Sequence, residues 1–300
     1  MTQIRPEYGV AVELECGVRR ILAPNPSAMT FWGTNTYLIG CNDVAIIDPG
    51  PKIERHFQAI LDATDNGETV SHIFVTHAHV DHSEGATALA RVIGVPVVAY
   101  GPAEKGISPL MANLISNGME TGGEGVDRGF KPDLLLEDGE NISGQDWSLT
   151  AVWTPGHLSN HICLSLEDVV FSGDHVMDWA TSIVSPPDGD LGAFLSSCEK
   201  LLLRNDRFFF PGHGNPVADP AARIKWLIAH RKNREAQILA ALKSGECTPV
   251  DLTKQIYTDV APVLLGAAER NVFAHLIDLY ERGLVFAHPK IAVDAVYSLR

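Results

Sequence analysis

His77-Ala78-His79-Val80-Asp81-His82 puts four potential metal ligands into six residues. How the chain runs through this hexapeptide decides what the rest of the protein must be. Alternate residues of an extended segment project to one side, so His77 and His79 can grip a single ion together. Ahead of them, Ser71-His72-Ile73-Phe74-Val75-Thr76 reads as a buried strand, and behind them Gly85 to Ile93 is Ala-rich and helical. The chain therefore turns after Val80. Asp81 and His82 then point elsewhere and can hold a second ion a few ångströms away.

Two protein ligands complete neither site, so further His or Asp residues are required at strand ends downstream. Thr154-Pro155-Gly156-His157, Ser172-Gly173-Asp174-His175 and Pro211-Gly212-His213-Gly214 each place an imidazole or carboxylate in a glycine-containing turn after an apolar strand. Alone, Asp174 would be an ordinary turn or capping residue and His175 a core or surface imidazole; only the constellation promotes Asp174. His161 lies close enough to His157 in sequence to face the metals and donate a hydrogen bond to substrate, with a structural histidine as the competing reading. His56, His72, His230, His275 and His288 have no partner pattern and read as solvent-exposed or hydrogen-bonded structural residues.

Working outward, short β-rich runs (Val10 to Leu14, Val18 to Leu22, Thr36 to Ile39, Val44 to Ile47) precede a helix from Ile53 to Ala63. Pro96 to Tyr100 is another strand. Asn117 to Gly129 holds five glycines and almost no periodicity, a loop expected to form a lid over the site. Strands follow near Ser148 to Trp153, His161 to Leu166 and Val169 to Phe171, then a helix from Leu191 to Leu203 and a strand at Phe208 to Phe210. Strands and helix, twice over, suggest two similar halves packed face to face, with sheets inside and helices outside. Beyond Pro220 the pattern turns helical: Ala221 to Lys243, a helix capped by Thr248 with Pro249 at its first position, and Ala267 to Arg282, with a two-strand hairpin within Leu284 to Leu299. Arg223, Lys225, Arg231, Lys232 and Arg234 on the long helix read as a solvated basic face.

The chain has 300 residues, 45% of them hydrophobic, enough for one main domain plus an appendage. No segment approaches the roughly 20 apolar residues of a membrane span, and Met1 to Pro6 carry no signal-peptide character. Cys16, Cys41, Cys163, Cys198 and Cys247 are odd in number and unpaired by spacing, which fits free thiols in a reducing cytoplasm. A net charge of -14 argues against a general nucleic-acid binder.

H-x-H-x-D-H followed by separate His, Asp and His resembles the metallo-β-lactamase superfamily over roughly residues 10 to 217. The resemblance implies an α/β (α+β) fold, an αββα four-layer sandwich with two metals between its sheets. It further implies that His77, His79 and His157 bind the first metal, Asp81, His82 and His213 the second, and that Asp174 bridges them. Asp48 sits where the superfamily keeps a buried carboxylate that orients a ligand. The bridging aspartate is similar to the glyoxalase II and lactonase branches rather than the zinc β-lactamases. The carboxy-terminal helices and hairpin, with Trp179 to Asp190, look like the winged-helix-bearing subgroup that includes β-lactamase-like endoribonucleases. The expected division is a catalytic domain over 1–217 and a helical, winged-helix-like domain over 218–300.

Two Zn2+ per chain are the expected cofactors, with iron or manganese as alternatives. Water shared by two such ions becomes hydroxide near neutral pH and attacks a polarised carbonyl or phosphoryl centre, with Asp81 and Asp174 as catalytic carboxylates beside His161. A small thioester, ester or lactone is the first expected substrate class. A nuclease cutting single-stranded RNA is the second reading, and a regulatory module that keeps the fold without chemistry the third. Leu264, Leu265 and Phe273 would form either a homodimer contact or the core of the small domain.

Overall fold

The computed structural model describes residues 5–64, 67–120 and 125–300. The expected lid over 117–129 therefore falls partly on residues 121–124, outside the described residues.

The β-rich start forms an antiparallel run of β1 (Ala11–Glu15), β2 (Val18–Leu22), β3 (Asn35–Ile39) and β4 (Asp43–Ile47). Helix α1 (Glu54–Thr64) carries the chain back, so β5 (Thr69–Phe74) lies parallel to β4, as such a crossover requires. The single turn α2 (Val80–Ser83) and α3 (Ala86–Ile93) lead to β6 (Val97–Ala99), and α4 (Pro109–Ser116) leads to the edge strand β7 (Leu134–Leu135). These seven strands make one sheet in sequence order. The sequence reading passed over α4, whose two turns are started by the Ser108 side chain accepting from Met111 N, with Pro109 at the first helical position.

The second sheet follows from β8 (Asn141–Ser143), β9 (Ser148–Trp153), β10 (Ile162–Leu166) and β11 (Val169–Gly173); then come α5 (Leu191–Leu202) and β12 (Phe208–Pro211), which pairs parallel with β11. Its order is β12-β11-β10-β9-β8.

Three apolar layers stack these pieces. Tyr37, Ile47 and Phe74 of the first sheet meet Leu149, Leu164, Phe171 and Phe210 of the second. Side chains alternate along a strand, so neighbours of these residues face outward: Ile46 and Ile73 pack on Phe57, Ile60 and Leu89 of α1 and α3. Val152 and Val170 pack on Phe194 and Leu201 of α5. The architecture is αββα, with both faces of each sheet covered.

The remaining chain forms α6 (Pro220–Leu242), α7 (Pro249–Ile256), a 3-10 turn (Pro262–Leu264), α8 (Leu265–Glu281) and an antiparallel hairpin, β13 (Val285–His288) and β14 (Val296–Leu299). A capping box between Thr248 and Asp251 starts α7. Helix α6 serves both parts. Ile224 and Leu227 lie in the outer layer of the sandwich; Ile238 and Leu242 lie in a separate core with Leu252, Phe273, Leu276 and Tyr297, onto which Met111 and Leu114 of α4 also pack. Phe273 thus takes the core alternative, while Leu265 stays 37% exposed. Among the described residues no helix is long and apolar enough to cross a membrane.

Candidate metal centre

All seven expected ligands stand at one end of the sandwich, where strands from both sheets stop. The segment after β5 stays extended through His77 and His79, and α2 then begins at Val80, so Asp81 and His82 belong to its single turn. His157 follows β9, Asp174 follows β11 and His213 follows β12. Because β11 and β12 are parallel neighbours, their carboxy-terminal ends lie side by side and deliver Asp174 and His213 together. The sheets are clipped at this end: Asn35 N donates to Gly212 O at 2.7 Å, and the Asn35 side-chain amide donates to Pro211 O and Gly214 O. A side chain at Gly212 would start 2.6 Å from both Asp174 Oδ1 and His82 Cε1, so glycine is required there by close approach.

The ligand atoms form two groups, His77, His79, His157 and Asp174 in one, Asp81, His82 and His213 in the other. In the first, His79 Nδ1 lies 2.9 Å from His77 Nε2 and 3.0 Å from His157 Nε2. In the second, His213 Nε2 is 3.1 Å from Asp81 Oδ2 and 3.3 Å from His82 Nε2. Asp174 reaches both: Oδ2 is 4.0 Å from His77 Nε2 and 3.7 Å from His157 Nε2, while Oδ1 is 3.5 Å from His82 Nε2. Ligand atoms around a tetrahedral ion at about 2.0–2.1 Å are separated by about 3.4 Å, in the middle of this range.

The nitrogens facing away from the cluster explain how the inward ones are held. His77 Nδ1 meets Thr76 Oγ1, His82 Nδ1 meets Asp48 Oδ2, His157 Nδ1 donates to Ile183 O, and His213 Nδ1 donates to Gly33 O. Each anchor fixes a ring and leaves Nε2 as the inward donor atom, which is how proteins orient metal-binding imidazoles. Asp48, at a positive φ of 50°, also accepts from Thr76 N and Thr76 Oγ1, so one strained, buried carboxylate fixes both the strand end and His82.

Electrostatics agree. Burial works against charge on His82 and His213, yet Asp81 and Asp174 overcome it, aided at His82 by Asp48; His82 is held well above the usual histidine range and His213 rises to about 10. Burial also opposes charge on Asp174, but His213 and His82 hold its carboxyl well below the usual range. His79 goes the other way, pushed down to about 3 by burial and by His157, and burial likewise lowers His77 well below its ordinary value. The cluster thus asks for positive charge beside its carboxylates and offers neutral imidazoles, and two cations meet both conditions. Asp174 Oδ1 is buried without a hydrogen-bond donor, a further sign that a cation completes the site.

Several expectations need correction. His161 is fully buried behind the ligands, its ring 5.1 Å from that of His77 and its Nδ1 bonded to Thr154 Oγ1, so it faces no substrate. His175, by contrast, takes the core alternative expected of it, packed on Phe194 and Cys198. His275 is neither exposed nor hydrogen-bonded; both ring nitrogens lie buried in α8. The basic run on α6 is only partly a solvated face. Arg223 donates to Met177 O and Ala180 O; Arg231, 2% exposed, donates to Thr181 O, Ser182 O and Asn271 Oδ1. The segment after Asp174 turns its carbonyls toward α6, and these arginines satisfy them. Ser182 in turn donates through Oγ to Asp174 O and His175 O. Nothing in the local sequence around Arg231 or Ser182 signals this strut, because its two ends lie 49 residues apart.

Above the ligands opens a cavity of about 280 Å3. His79, Asp81, His157, Asp174 and His213 form one end; Met29, Met177, Trp179 and Ile183 line one side, and Tyr257, Val260, Leu264 and Ala268 from the carboxy-terminal part line the other.

The metallo-beta-lactamase superfamily profile matches residues 29–213, and that of the beta-lactamase associated winged helix domain matches 248–291. The chain is 31% identical over 230 residues to the lactamase-like protein adaB of Aspergillus niger, which covers 75% of this chain but 64% of that protein's length. It is 31% identical over 282 residues to the beta-lactamase-like protein 2 homolog of Drosophila melanogaster, covering 90% of each. An atrochrysone carboxyl ACP thioesterase of Claviceps purpurea is 28% identical over 84% of this chain and 76% of its own. A beta-lactamase domain protein from Burkholderia ambifaria has the same fold, with a TM-score of 0.83 and 21% identity over 100% of this chain and 96% of that one.

Proposed function

This chain belongs to the metallo-beta-lactamase superfamily, and from that premise we propose that it is a metal-dependent hydrolase of thioesters, holding two divalent ions, zinc by default. The observation that carries the reading is the pair of ligand groups joined through Asp174 at the end of a mostly apolar cavity. The Claviceps relative, named a thioesterase, favours thioesters over the esters and lactones that the same chemistry would serve. In this reading the winged-helix part, divided from the catalytic domain at 217/218 with α6 shared between them, supplies one wall of the site.

His77, His79 and His157 would hold one ion, Asp81, His82 and His213 the other, and Asp174 both. When bound, such ions lower the pKa of water to about 7 and polarise a carbonyl. The protein's own part is positional. Thr76, Asp48, Ile183 and Gly33 keep the imidazoles aimed. Asp81, with 22% of its side chain exposed and lining the cavity, is the carboxylate placed to take the proton that water loses as its oxygen bonds to the acyl carbon. The carbon–sulfur bond then breaks, and the leaving thiolate takes up the proton that Asp81 received.

RNA cleavage is the weaker alternative. Arg223 and Arg231 spend their donors on backbone carbonyls, and Arg234 on Gln237 and Ile256, which leaves less of the α6 basic run for phosphates. The test is metal content per chain on protein purified without chelator, with parallel assays on a thioester, a lactone, a phosphodiester and single-stranded RNA. About two metals and thioester hydrolysis are expected. Asp174→Ala should lose bound metal and at least about 100-fold in kcat/KM; unchanged metal and full activity would refute the site assignment. Salt-sensitive RNA cleavage would replace the thioesterase reading with the nuclease one.

A further inference from the structure

The cavity beside the ligands has one chemical peculiarity. Among the described residues lining it there is no lysine or arginine. Its acidic groups are Asp81 and Asp174 of the cluster and Asp188, which Arg128 pairs with while not itself lining the space. The walls are otherwise apolar or neutral: Met177, Trp179 and Ile183 come from the sandwich, and Val260, Ala267 and Ala268 from the turn before α8 and its first turn. A carboxylate or phosphate entering this space would lose its water with no cation to receive it other than the metals at the far end, a heavy penalty. An apolar group would instead be released from water over much of its surface.

The volume adds a second restriction. About 280 Å3 falls just below the about 300–1,000 Å3 of small-molecule pockets. It accommodates one compact group and not a chain of nucleotides.

Resting on the thioesterase reading, we infer that this cavity is the acyl pocket, and that it selects thioesters whose acyl part is uncharged and apolar, a medium-length chain or a compact ring system. The wall from α8 and the preceding turn sets the length limit, since Ala268 and Ala267 leave room that larger side chains would fill. The thiol part of the substrate remains toward solvent.

The experiment uses the full chain loaded with zinc and a series of N-acetylcysteamine thioesters from acetyl to dodecanoyl, together with ω-carboxy counterparts of the same lengths. The expected kcat/KM rises about threefold or more per methylene until the pocket is full, then falls, and an ω-carboxylate lowers it at least about 100-fold. Ala268→Leu is expected to move the optimum to shorter chains. Val260→Lys, in a half-buried turn position where a folding defect is less of a concern, is expected to narrow the penalty on the ω-carboxy series. Hydrolysis that is flat across chain length, or indifferent to the carboxylate, would overturn the pocket assignment and leave the thioesterase reading standing. If no thioester is cleaved by protein carrying two metals, the thioesterase reading fails, and calorimetric binding of the matching non-hydrolysable thioethers decides the pocket. Affinity rising with chain length upholds it, and no binding at any length rejects it.

Discussion

At the scale of single residues, the division of labour lies between the candidate ligands and the groups that aim them. Asp48 is the clearest of the second kind, bonded at once to His82 Nδ1, Thr76 N and Thr76 Oγ1. Asp48→Asn keeps the size but replaces a carboxylate with an amide, so His82 loses its charged partner. The expected result is a 10- to 100-fold weaker affinity at the proposed site of Asp81, His82 and His213, with the other site unchanged; competition with a chromophoric chelator would show one affinity lowered relative to the parent and the other kept. Equal weakening of both, or of neither, would mean that Asp48 does not act through His82. All seven candidate ligands fall in two kinds of pattern, alternate residues before a turn and glycine-containing turns after strands, and the fold gathers them into two groups that could hold metal ions. Of the anchors, only Asp48 was expected. Gly33 and Ile183 act through backbone oxygens, which any residue carries, so no side-chain pattern betrays them. His161 was misread for a related reason: nearness to His157 in sequence does not say which face of the strand end it occupies, and its ring packs behind His77 instead of over it.

Among elements, α6 has the largest role not visible from its composition. A basic helix in an acidic protein suggests a wet surface, yet Arg231 is buried and braces the loop that carries Ser182 and Ile183 between Asp174 and His157. Arg231→Met preserves much of the apolar stem while leaving Thr181 O, Ser182 O and Asn271 Oδ1 without this donor. The cost should be about 3 kcal/mol, seen as a lower urea midpoint with the slope unchanged. Because the loop also lines the cavity, KM for a thioester should rise along with it. A stability loss with no change in KM would restrict the strut to folding. Periodicity located α6 itself, as it located α1, α3 and α5, since each lays an apolar stripe on a core. Short pieces escaped it: α4 has only two turns, and the edge strands β7 and β8 have two and three residues, too few for a period to declare itself.

For the molecule as a whole, the paired α–β–β–α layers were expected from the repeated order of strands and helix, whereas no local signal says which residues of a trailing helix dock beside the site. The finished structure also carries an acid liability in its buried histidines. Burial pushes His56 down to about 4, and His175, also depressed by His157 and Arg231, to about 3, whereas both titrate near 6.5 when unfolded. Their folded-state values lie below the unfolded one, so the unfolded chain binds protons first as pH falls. Stability is complete above about 6.5 and drains away down to about 4, with His56 alone accounting for of order 3 kcal/mol. Urea midpoints for metal-loaded protein should decline across that window, and His56→Gln should flatten the decline; a constant midpoint from pH 7 to 4.5 would contradict the burial argument. A different consequence follows from where the ligands sit along the chain. Six of them are in place once Asp174 has been made, but His213 waits for β12, which takes its position against β11 only after α5 has been laid across the sheet. During synthesis the first ion's nest can be assembled well before the second's. Under the two-metal proposal, loading would then be stepwise in time, with a one-ion stage during synthesis that the finished cluster conceals.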